Sequence, residues 1–144
     1  MANVADRNPV QAASNLVDDL ADIISGYETM IEKADADLQP HVQRLHAIHE
    51  RHASELMEIL ATLGGQPDSP GSMMGAVHTT VASARDLLGA LDKSALDSIL
   101  DGEERILRSY KGAADSAIMH DMLHEVLVRQ RKALQEHVDA LRQD

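Results

Sequence analysis

Four stretches of this chain carry their seam residues at alternating intervals of four and three, the spacing that turns one face of an α-helix toward a partner helix. The first stripe is Leu16, Leu20, Ile23, Tyr27, Met30 and Ala34, and the second is Leu45, His49, His52, Leu56, Ile59 and Leu63. The third is Ile99, Glu103, Ile106, Tyr110 and Ala113; the fourth is Leu123, Leu127, Gln130, Leu134, His137 and Leu141. A strand exposes the same face at every second residue, so this period cannot serve one. The pattern predicts an all-α bundle with left-handed packing.

Prolines and glycines fall between the stripes rather than inside them. Asn8-Pro9 reads as a cap followed by the first residue of a helix that reaches about Ala34. Asp37 is the expected cap of a second helix, with Pro40 in its first turn and Leu63-Gly64-Gly65 at its end. The loop from Gly64 to Gly71 leads into a crossover helix from Met73 to Leu91. Asp92 is expected to cap the next helix, which runs to about Ala114, and Asp115 to cap the last. Residues 1–7 read as a flexible tail and residues 8–144 as one domain, two antiparallel helical hairpins joined by a long crossover. A chain of 144 residues can bury a core of its own.

Composition narrows the function. With 24 acidic and 13 basic side chains the net charge is −11, which repels phosphate backbones and anionic lipid, so neither nucleic acid nor membrane is an expected partner. The absence of cysteine removes disulfides, thiolate metal sites and cysteine nucleophiles. The opening residues lack a signal pattern and no apolar run is long enough to span a bilayer, so the expected location is cytoplasmic. Phe and Trp are absent, Tyr27 and Tyr110 are the only aromatics, and the seven Met are expected to fill gaps between Leu, Ile, Val and Ala. No nucleophile–base pair or phosphate-cradling glycine loop stands out.

Chemistry is confined to polar residues on the seams. His49, His52, Glu103 and Gln130 interrupt their stripes near the middle, and His137 does so nearer an end. His49 and His52 share one helix face, and a turn near residue 36 places His52 level with Leu20. A turn near residue 115 places Glu103 level with Leu127 and within one helical turn of Gln130. Two imidazoles and the Glu103 carboxylate would make a three-ligand set for one Fe, Mn or Zn ion. The same residues can instead satisfy one another by hydrogen bonds, because a lone buried carboxylate is costly. Tyr27 and Tyr110, at matching places in the two hairpins, are candidate donors to such a cluster. His120 and His124, four apart beside the apolar stripe, are expected on a solvated face.

Gly102-Glu103, with Tyr110 seven residues after the Glu and a histidine on the preceding hairpin, resembles the rubrerythrin branch of the ferritin-like superfamily. A closer resemblance is to a bacterial ferritin-like family known as a domain of unknown function. It rests on Ser25-Gly26-Tyr27, Leu63-Gly-Gly-Gln-Pro67, Gly71-Ser-Met-Met-Gly-Ala-Val-His78 and Gly102-Glu-Glu104. The resemblance implies a ferritin-like four-helix bundle. In metal-binding relatives, each hairpin supplies one Glu and a Glu-x-x-His pair to two irons. Carried over, Glu103 stands at the third-helix carboxylate, His52 at the second-helix histidine and His49 at that helix's glutamate. Leu20 replaces the first-helix carboxylate, with Asp19 one position away, and Arg129 and Lys132 stand at the last helix's Glu and His. That set implies a degenerate di-iron site.

Two functional readings follow. One is a non-catalytic bundle with a structural or protein-interaction role, a homo-oligomer through the crossover helix. The other is a metal-binding protein in which His49, His52 and Glu103 hold a single Fe, Mn or Zn ion for redox or sensing chemistry. Any enzymatic activity depends on that ion.

Overall fold

A computed structural model describes residues 8–64 and 92–143. Four long helices make up these segments: α1 (Pro9–Lys33), α2 (Gln39–Thr62), α3 (Leu96–Ser116) and α4 (Asp121–Gln143). A short 3-10 turn, Lys93–Ala95, precedes α3, and no strand occurs among the described residues. The expected crossover helix, Met73 to Leu91, and the tail of residues 1–7 lie outside them.

The helix starts follow local chemistry, with three shifts from expectation. Asn8 Oδ1 accepts from the Val10 amide, and Pro9 occupies the first turn where no amide is needed. In the α1–α2 turn the capping side chain is Asp35 rather than Asp37. Its Oδ1 accepts from the amides of Asp37 and Leu38, which seats the wholly buried Leu38 at the start of α2. Asp115 does not begin α4: it lies within α3, paired with Lys111 one turn earlier. Burial of Ala113, Ala114 and Ala117 carries α3 past that point, so the turn falls at residues 117–120. Asp92, the expected cap of the next helix, opens the 3-10 turn instead, accepting from the Ser94 amide at 2.9 Å, and α3 starts after Ala95 with no side-chain cap. Gly64, at the end of α2, has φ of 80°, a conformation favourable only to glycine.

Packing pairs are α1 with α2, α3 with α4, α1 with α3 and α2 with α4, which leaves α2 and α3 on a diagonal. Direction follows from side-chain pairs. Asp19 meets Ser109 while Tyr27 meets Glu103, so α1 and α3 run in opposite directions. Glu55 meets Arg129, and His41 and Arg44 share a small cavity with His137 and Ala140, so α2 and α4 do likewise. Every packed pair is therefore antiparallel, while α2 and α3 point the same way. The end of α2 and the start of α3 consequently lie at opposite ends of the bundle.

The core holds most of each stripe, with three local changes. Leu16, Leu20, Tyr27, Leu45, Leu56, Ile99, Ile106, Tyr110, Leu123, Leu127, Leu134 and Leu141 are all buried. Ile24 rather than Ile23 is buried in α1, Leu60 rather than Ile59 in α2, and Val138 rather than His137 in α4, because straight helices drift off a strict seven-residue repeat. Each fully buried Leu or Val contributes roughly 1.5–3 kcal/mol relative to exposure. No helix among the described residues is long and apolar enough to cross a membrane.

Candidate functional site: a polar layer in the core

His49, Glu103 and Gln130 are wholly buried, and His52 nearly so. They lie where seam positions of α2, α3 and α4 converge, with Tyr27 of α1 and Tyr110 of α3 beside them. Two hydrogen-bonded groups result.

The first group centres on Glu103. Tyr27 donates its hydroxyl to Glu103 Oε2, and His49 Nε2 lies 3.0 Å from Oε1 and 2.8 Å from Oε2. A carboxylate only accepts, so His49 carries a proton on Nε2. The Tyr27 and His49 rings stack, 6.0 Å between centroids and 19° between planes. Burial, then the Glu103 charge and the hydrogen bond to it, push the Tyr27 hydroxyl well above its usual range, keeping it a donor. His49 Nδ1 is buried and has no hydrogen-bond partner.

The second group centres on Gln130. Its Nε2 donates to the His52 carbonyl at 3.2 Å and to Glu55 Oε1 at 2.8 Å, which fixes the amide orientation by two acceptors. Gln130 Oε1 then accepts from the Tyr110 hydroxyl at 2.8 Å. With the Tyr110 proton committed there, His52 Nδ1, 3.4 Å from that oxygen, can only donate to it. The His52 and Tyr110 rings meet edge to face, 6.3 Å between centroids. Arg129 pairs with Glu55 at 2.6 Å, so the chain of bonds leads from the core to the surface.

Burial pushes His52 down to about 4, with the neighbouring His49 adding to the shift and Glu55 opposing it. His52 is thus neutral near pH 7. Arg129, which donates to Glu55, holds that carboxyl below its usual range. Burial and the Glu103 and Glu55 charges raise the Tyr110 hydroxyl.

Of the three candidate ligands, the structure brings His49 and Glu103 together and turns His52 to the other group. The three do not form a set of donor atoms within 4.8 Å of one another; among the described residues that spacing is met by Glu28, His46 and Glu50. His46 is half-buried and turned toward Glu28. His120 and His124 are half-buried and close the α3–α4 turn: His124 Nδ1 lies 2.9 Å from the Ala114 carbonyl, and His120 Nδ1 accepts from the Leu123 amide. Sequence reasoning missed Glu55. The signal was its spacing of three from His52, on the face toward α4.

Residues 9–116 match the family model described as domain of unknown function DUF2383. The chain belongs to that family. The DUF2383 match takes in Tyr27, His49, His52, Glu55, Glu103 and Tyr110, and so all of the first group and most of the second. No match was found among curated proteins or among solved structures.

Proposed function

We propose that this chain is a ferritin-like helical bundle with a degenerate di-iron site, non-catalytic, and serving a structural or protein-interaction role. The observation that carries this reading is the use of both Glu103 oxygens by Tyr27 and His49, a carboxylate satisfied by protein donors. The ferritin-like assignment is supported by the helix directions: antiparallel neighbours, with α2 and α3 parallel on a diagonal, require a connection between opposite ends of the bundle.

The residues do not fit a di-iron centre. Leu20 fills the first-helix carboxylate position and is wholly buried, so it offers no oxygen. Arg129 is half-exposed and committed to Glu55, and Lys132 is exposed, so α4 offers the core Gln130 instead of a carboxylate and an imidazole. An interaction role is supported by the α3–α4 turn, where Ile118, Met119 and Met122 are exposed. Self-association through the Met73–Leu91 segment is part of the proposal, and a monomer by light scattering at every concentration tested would remove it.

A second reading has one observation in its favour. His49 Nδ1 is a buried nitrogen without a partner beside a buried carboxylate, and a single Fe, Mn or Zn ion held by His49, His52 and Glu103 would draw on such donors. Metal content after reconstitution with each ion, measured on wild type and Glu103→Gln, separates the two. The first reading expects the same stoichiometry in both proteins. Loss of about one equivalent on substitution would replace it with the second.

A further inference from the structure

Outside the polar layer, side chains from two helices converge on the bundle surface near the α1–α2 turn. Glu28 projects from the C-terminal part of α1, and His46 and Glu50 lie one turn apart on α2. His46 Nε2 is 3.1 Å from Glu28 Oε2, and its Nδ1 is 3.5 Å from Glu50 Oε1. One donor atom from each residue lies within 4.8 Å of the other two. The His46 side chain is 17% exposed, against 52% and 56% for the two glutamates, so a fixed imidazole faces two movable carboxylates.

We propose that Glu28, His46 and Glu50 form a binding site for a divalent transition metal of the zinc, cobalt or manganese class. One imidazole nitrogen and two carboxylate oxygens are a donor set such ions accept. Metal–ligand distances of about 2.0–2.2 Å would bring neighbouring donors to roughly 3.3–3.5 Å from one another. The three atoms therefore need to draw in by little more than about 1 Å, within the reach of a carboxylate rotamer. The His-x-x-x-Glu spacing puts His46 and Glu50 on one helix face, and the Asp35-capped turn fixes the register that brings Glu28 opposite.

Charge favours the same conclusion. Two carboxylates neutralise a dication, and a chain of net charge −11 raises the local concentration of cations. Three protein ligands leave the solvent side open for water or an exogenous ligand. The site shares no residue with the Glu103 cluster, since His49 and His52 face the core while His46 and Glu50 face out. Its bound ion would clamp α1 to α2.

The test uses the full chain after chelator treatment, titrated with Co2+ by visible absorption and with Zn2+ by calorimetry. Wild type and Glu103→Gln are expected to bind one equivalent; Glu28→Gln, His46→Gln and Glu50→Gln should each bind on the order of tenfold more weakly, or not at all. Circular dichroism melts show which variants remain folded, and zinc should raise the wild-type Tm but not that of Glu28→Gln. No binding by wild type up to about 1 mM Zn2+ overturns the site. So does unchanged affinity in both Glu28→Gln and His46→Gln. Loss confined to Glu103→Gln also overturns it, and in that case the non-catalytic reading above falls as well.

Discussion

His49 on α2 and Glu103 on α3 join across the bundle's diagonal, with Nε2 3.0 and 2.8 Å from the two carboxylate oxygens. Both side chains are wholly buried, so each is the other's substitute for water. Removing either partner leaves a desolvated polar group behind.

Glu103→Ala should cost several kcal/mol in urea unfolding, about 1–3 kcal/mol for each of the two buried donors, the Tyr27 hydroxyl and His49 Nε2, that it leaves without an acceptor. Glu103→Gln should cost less, about 1–3 kcal/mol, because an amide oxygen still accepts from Tyr27 or His49. Tyr27→Phe removes one donor, and a double-mutant cycle with Glu103→Gln should give a coupling of roughly 0.5–3 kcal/mol. Additive losses would show that the hydroxyl and the carboxylate are not bonded in solution.

Stability should fall on mild acidification because of His52. Its value drops from 6.5 when exposed to about 4 in the fold, so the unfolded chain takes up the proton first. The contribution of its neutral form is whole above about pH 6.5 and is lost as pH falls toward about 4. His52→Leu should flatten the unfolding free energy across that window. Glu55, held low by Arg129, gives a separate loss as pH falls through the carboxylate range, which Glu55→Gln should remove. A wild-type curve that is flat from pH 6.5 to 4.5 would rule out a neutral, buried His52.

Gln130→Leu keeps the volume of its side chain but strips Tyr110 of its acceptor and the His52 carbonyl and Glu55 of a donor. A loss of about 1–3 kcal/mol by chemical denaturation is expected. Gln130→Glu should be no better, since it places a second carboxylate beside Glu55.

Gly102 lies inside α3, where a Cβ would meet Ile23 Cδ1 at 3.7 Å, an ordinary contact. Gly102→Ala should therefore raise stability by about 0.4–1 kcal/mol through the entropy of the unfolded chain. A destabilised variant would mean that the helix interface at Ile23 is tighter than this distance.

Register explains which expectations moved. Tyr110 and Gln130 lie equally far from His120 in sequence and are bonded, so the second hairpin turns near that residue and not near 115. Glu103 accordingly does not share a level with Leu127, and its partners come from α1 and α2. Asp115 looked like a cap because aspartate often is one. Nothing local distinguishes it from an aspartate paired with a lysine one turn earlier on an exposed face.

The helical character of the chain, the start of α1 and the polar residues that interrupt the apolar seams were all legible in the residues alone, since caps and periodicity are properties of near neighbours along the chain. Tyr27 and Tyr110 were legible there too, as donors to a polar cluster. The packed bundle pairs Glu103 with Tyr27 and His49, and His52 with Tyr110 and Gln130. Packing of α1 on α2 likewise places Glu28 beside His46. Those pairings depend on how far each helix is shifted and rotated against its neighbours, a quantity set by the whole packed core and by where the turns fall.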